Sequence, residues 1–84
     1  MTDTILKQNA GRGGAVIVTA TTVPAGDYCA MQWVTSGTIT TALNAPLLTG
    51  TQTSITYPAL LRIDTPITGG TGVITGTAIF YKAI

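Results

Sequence analysis

Eighty-four residues with a formal net charge of +1 and charged side chains at only 8% of positions define one small domain with an unusually neutral exterior. A charged share of about 25% is usual, so the surface must be covered by neutral polar groups, chiefly the 18 threonines. The four basic residues are scattered and there is no histidine, which excludes the Lys/Arg clusters of phosphate-backbone binders and the usual general base near neutral pH.

In chain order, residues 1–14 are polar and close on Gly11-Arg12-Gly13-Gly14, a composition with wide backbone freedom and little to bury. They read as an N-terminal arm, with Ile5, Leu6, Lys7 and Arg12 as candidate contacts to a neighbouring subunit. Residues 15–84 read as a single β domain. Ala15 to Thr22 is β-branched almost throughout, which suits a pleated surface better than a helix. Pro24-Ala25-Gly26-Asp27 predicts a turn. A second strand follows over Tyr28 to Val34, where alternation puts Cys29, Met31 and Trp33 on one face. Thr35-Ser36-Gly37 suggests a hairpin into a third strand, Thr38 to Leu43.

Asn44-Ala45-Pro46 interrupts that strand, and Asn44 to Leu48 is the one place where a helical turn fits. Thr51 to Tyr57 and Leu60 to Ile63 read as further strands around Pro58, which cannot donate to a ladder. Asp64-Thr65-Pro66 and Gly69-Gly70-Thr71-Gly72 are connectors. Val73 to Lys82 is the last β segment, with a tight turn or bulge at Gly76. No stretch has helical apolar periodicity, and turn signals at this spacing predict an all-β fold, a small antiparallel β-sandwich or barrel of about six to eight short strands. The candidate core residues are Val16, Val18, Cys29, Met31, Trp33, Ile39 and Phe80.

The chain is expected not to be an enzyme. A carboxylate pair would have to come from Asp3, Asp27 and Asp64, which occupy unrelated turn or terminal settings and serve turns more simply. One cysteine without histidine cannot supply three or four transition-metal ligands. The glycines near Gly69 lack the Lys-Ser/Thr of a phosphate loop and the helix of a dinucleotide fingerprint. No catalytic, cofactor or metal residues are expected. Trp33 reads first as core, although an exposed aromatic on a sheet would suit a sugar ring. Thr-x-Thr at Thr19/Thr21, Thr51/Thr53 and Thr75/Thr77 resembles ice-binding arrays but lacks their fixed period. The start, Met1 to Lys7, has no secretory pattern, no run nears the roughly 20 apolar residues of a membrane helix, and the lone Cys29 favours a reducing compartment.

Three phrases carry a resemblance: Gly26-Asp27-Tyr28-Cys29-Ala30-Met31-Gln32-Trp33, Thr35-Ser36-Gly37-Thr38-Ile39 and Gly76-Thr77-Ala78-Ile79-Phe80-Tyr81-Lys82. They resemble small structural proteins of tailed bacteriophages, those that decorate or cement the head or form the base of a head spike. The resemblance covers about residues 15–84 and carries over no site. It implies a virion protein assembled in the host cytoplasm. Its partners would be copies of itself, a trimer first, and a major capsid protein or other virion component, with no nucleic acid and no membrane. The other reading is a small adhesin-like or carbohydrate-binding β-sandwich using Trp33 and the tyrosines.

Overall fold

The computed structural model describes residues 14–83. Among them there is no helix, and eight strands form two antiparallel sheets. The larger sheet contains β1 (Ala15–Thr19), β8 (Thr77–Lys82), β2 (Asp27–Trp33) and β5 (Arg62–Ile63) in that order, with β6 (Ile67–Thr68) also paired to β2. The smaller sheet runs β4 (Thr56–Tyr57), β3 (Gly37–Thr41), β7 (Val73–Ile74). The all-β expectation holds. The arm residues Ile5, Leu6, Lys7 and Arg12 lie outside the described residues.

The core is built from cross-strand rows on the inner face of the larger sheet. Val16, Phe80, Met31 and Ile63 stand side by side across four strands, and Val18, Ala78 and Trp33 form the next row. Small Ala78 leaves room for the indole beside it. Ile39 and Ile74 close the core from the smaller sheet, with Val23, Leu43, Ala45 and Ile67 around the rim. Such burial is worth roughly 1.5–3 kcal/mol for each large apolar side chain, which a thin domain needs from nearly all of them.

A bulge corrects one core assignment made from alternation, that of Cys29. The β2–β8 register shifts between Tyr28 and Ala30, so one extra residue sits opposite the partner strand and the side-chain phase changes. Cys29 is that extra residue. It is half-buried, outside the clustered core, with its thiol 3.9 Å from the Lys82 carbonyl. Tyr28 takes the interior position instead, edge-on to Phe80 at 5.5 Å between ring centroids. Val16 is only partly buried, while Val18, Met31, Trp33, Ile39 and Phe80 are buried.

The expected hairpin over Thr35-Ser36-Gly37 does not form. Both sides of β2 are already paired, one by β8 and the other by β5 and β6, so the chain leaves the larger sheet at Val34 and enters the smaller one as β3. A second crossing lies beside it, where β7 ends and β8 begins at Thr75-Gly76, with Gly76 at φ 76°. Threonines replace ladder bonds at this double corner. The Thr77 amide donates to Thr35 Oγ1 at 3.0 Å, and the Thr38 amide donates to Thr75 Oγ1 at 3.0 Å. Backbone groups that leave a sheet need partners, and a short hydroxyl supplies them locally.

Elsewhere the strands are shorter than the sequence suggests. Within Thr51 to Tyr57 only Thr56–Tyr57 is strand, with Thr53 in an isolated parallel bridge to Ile39. Asn44 to Leu48 is not helical; the Leu48 amide donates to the Ala45 carbonyl at 3.0 Å and closes one turn. Gln52 satisfies Leu43 twice, its Oε1 accepting from the Leu43 amide at 2.7 Å and its Nε2 donating to the Leu43 carbonyl at 3.1 Å. β6 has no signal beyond the isoleucine and threonine themselves.

At the Pro58–Leu61 turn the Leu61 amide reaches the Pro58 carbonyl at 3.4 Å, and Leu60 adopts φ 70°. That is the third position of a turn of the kind that normally requires glycine. A Cβ there costs about 1–2 kcal/mol, and the Leu60 side chain is 73% exposed, so burial does not offset it. Leu60→Gly is therefore expected to stabilise by up to about 1 kcal/mol after the unfolded-state entropy of glycine, a rise of roughly 4–8 °C in Tm for a domain of this size. Differential scanning calorimetry of the two proteins checks it; a lower Tm would show that Leu60 makes packing contacts in solution.

Candidate functional surface

The described polar side chains are dispersed. Asp27 is exposed at the start of β2, Lys82 is exposed at the end of β8, and Asp64 is taken by Arg62 at 2.8 Å. No three Cys, Asp, Glu or His side chains come together among the described residues. The Arg62–Asp64 pair is 40% and 68% exposed, so as a salt bridge it adds little stability. Its hydrogen bond to Asp64 holds the Arg62 guanidinium above its ordinary value, against a smaller opposing effect of burial. The guanidinium also lies 4.9 Å from the centroid of the Tyr81 ring, a cation–π distance.

Trp33 is not a platform. Its indole is enclosed, and the Tyr57 ring lies parallel to it at 5.1 Å with an 8° interplanar angle, joining the two sheets. The indole Nε1 is buried with no hydrogen-bond partner among the described residues. Tyr28 is also interior, its hydroxyl donating to the Pro24 carbonyl at 2.8 Å. The Tyr57 hydroxyl donates to the Gln52 carbonyl at 2.7 Å. No family model, curated protein or solved structure matches the chain. The surface must therefore be read from its own chemistry.

Burial raises the pKa of both Tyr28 and Tyr57 above the ordinary 10.0. The unfolded chain then loses these protons at lower pH than the folded one. Their contribution to stability is fully present below about pH 10 and is lost as pH rises through the higher folded-state values. Urea midpoints should hold from neutral pH up to about pH 10 and fall beyond it, and Tyr28→Phe should flatten part of that fall.

Among the described residues the threonines do not form an array. Thr19 and Thr77 hydroxyls lie 3.1 Å apart on the larger sheet, whereas Thr38 and Thr75 hydroxyls lie 2.8 Å apart on the smaller. Thr75 and Thr77 are thus split by the corner at Gly76. What the surface does offer is aliphatic: Ile17, Leu47 and Leu60 are largely exposed, and Val34, Ile55 and Leu61 are partly so. Sequence reasoning did not single these out, because all but Leu47 sit in β-like runs, and Leu47 follows the break at Asn44-Ala45-Pro46. Pro58-Ala59-Leu60 held the one available signal, a proline that sets up a turn two residues before a leucine.

Proposed function

We propose that this chain is a non-enzymatic structural protein of a virion, a capsid decoration or cement protein that packs against copies of itself and a larger component. The observation that carries the structural reading is the surface: large aliphatic side chains stand exposed on a domain with almost no charge to keep copies apart. Solubility normally leans on charge, and a small domain with a marginal core gains stability from covered surfaces. The hydroxyls of Thr35 and Thr75 are taken up by the sheet corner and Asp64 by Arg62, which supports a role without catalysis. The virion assignment rests on the resemblance of Gly26–Trp33, Thr35–Ile39 and Gly76–Lys82 to phage head proteins.

The test is purification of intact particles from infected cells, followed by quantitative mass spectrometry of the components. A fixed stoichiometry of this chain per major capsid protein is expected, and its loss on washing or its absence from particles would sink the proposal. The carbohydrate-binding alternative draws no support from Trp33, whose ring face is occupied by Tyr57.

A further inference from the structure

The edges of the two sheets are not equally protected. At one end of the larger sheet, β5 carries Arg62, is followed by Asp64, and lies between Pro58 and Pro66. Charges and prolines of this kind discourage edge pairing. In the smaller sheet β4 and β7 are two residues each; Pro58 follows β4, and Thr22 bridges Val73 of β7. β1, at the other end of the larger sheet, is five residues long, Ala15-Val16-Ile17-Val18-Thr19. It has neither a charge nor a proline.

Hydrogen-bond parity says which groups that edge presents. The Lys82 amide donates to the Gly14 carbonyl at 2.9 Å and the Ala20 amide to the Gly76 carbonyl at 3.0 Å, in continuous register with Ala15↔Tyr81 through Thr19↔Thr77. Bonded pairs alternate in an antiparallel ladder. The main chains of Gly14, Val16, Val18 and Ala20 therefore face β8, and those of Ala15, Ile17 and Thr19 face away. Ile17 is the midpoint of the strand, and its side chain is 70% exposed.

We propose that β1 pairs antiparallel with β1 of a second copy about a two-fold axis at Ile17. The geometry is self-complementary, as a two-fold contact must be. Ile17 meets Ile17 of the second copy, and Ala15 meets its Thr19, with each of these pairs exchanging the outward main-chain bonds. Val16 then lies beside Val18 of the second copy on the inner face, which extends the core row and covers the half-buried Val16. A second copy is the occupant because an unguarded strand needs an unguarded partner edge, and among the described residues β1 is the edge of that kind. Five residues bury less than the roughly 1,000 Å² of a stable interface, so the contact is weak and concentration-dependent, of a kind that many copies on one scaffold reinforce. This rests on the reading of the chain as an assembling structural protein, and it predicts dimers in solution in place of a trimer.

The experiment is sedimentation of the full chain from about 1 μM to about 1 mM, the range that spans weak contacts, alongside amide exchange by NMR. A monomer–dimer equilibrium is expected, with exchange at the Ala15, Ile17 and Thr19 amides slowing as concentration rises. Ile17→Lys should weaken dimerisation at least about tenfold, while Thr49→Lys, the same charge in a loop, should leave it unchanged. A monomer throughout the range would overturn the inference, whatever covers β1 instead, the chain's own residues 1–13 included. So would a dimer whose β1 amides exchange independently of concentration, which needs no variant to read. Absence from particles, by contrast, would defeat the virion reading and leave this contact standing.

Discussion

Trp33→Ala is expected to cost about 3–5 kcal/mol, the usual range for truncating a large aromatic in a core. The indole is 0% exposed, stands in a row with Val18 and Ala78, and stacks on Tyr57 across the two sheets. Removing it therefore opens a cavity and breaks the contact that joins the layers. At roughly 0.05–0.15 kcal/mol per residue, 84 residues hold about 4–13 kcal/mol, so the loss removes a large part of the stability and the variant should melt well below the parent protein. Trp33→Phe separates packing from polarity. It keeps a ring against Tyr57 and removes the Nε1–H, which is buried without a partner among the described residues and carries a desolvation cost of about 1–3 kcal/mol. The phenylalanine variant should thus lose much less than the alanine one. Chemical denaturation of the three proteins, followed by circular dichroism, measures both differences. If Trp33→Ala folds normally and loses only glycan affinity, the carbohydrate-binding reading is the correct one.

Gly37→Ala should be nearly as damaging, although it adds a single methyl group. A Cβ at Gly37 would meet the Thr75 carbonyl oxygen and would come within 2.6 Å of the Trp33 ring. The first is main chain in the adjacent corner, held by the Thr38 and Thr75 hydrogen bonds, and the second is an enclosed side chain with nowhere to move. Overpacking in a rigid core costs typically about 1–3 kcal/mol and occasionally more; this site belongs at the upper end because both neighbours are fixed. Gly50→Ala provides the comparison, since nothing lies within 4 Å of its added Cβ and only the backbone conformation at φ 96° is strained. Thermal melts should place Gly37→Ala well below Gly50→Ala. Equal melting temperatures would mean that the two corners are not packed against each other in solution.

The strong β signals were legible because they are local. Ala15 to Thr19, Asp27 to Trp33 and Thr77 to Lys82 are dense in β-branched and aromatic residues, and each became a paired strand. Turn residues at Pro24-Ala25-Gly26, Pro58 and Gly76 marked the breaks between them. Short strands such as β5, β6 and β7 are two residues long and owe their existence to the strand beside them, so no local preference announces them.

Composition by itself determined that this is a charge-poor, threonine-rich, all-β domain without histidine, because periodicity, β-branching and residue counts need no knowledge of neighbours. Only the tertiary structure decided which side chains are inside. One inserted residue at Cys29 shifts the phase of β2, and phase in a two-residue repeat depends on the partner strand, not on the strand itself. The same holds for Thr35-Ser36-Gly37. It reads as a hairpin until β8, β5 and β6 are seen to occupy both sides of β2, leaving β3 to start a second sheet. The place of β1 at the end of the larger sheet is likewise a property of the strand order, since a run such as Ala-Val-Ile-Val-Thr is as well suited to the middle of a sheet as to its end.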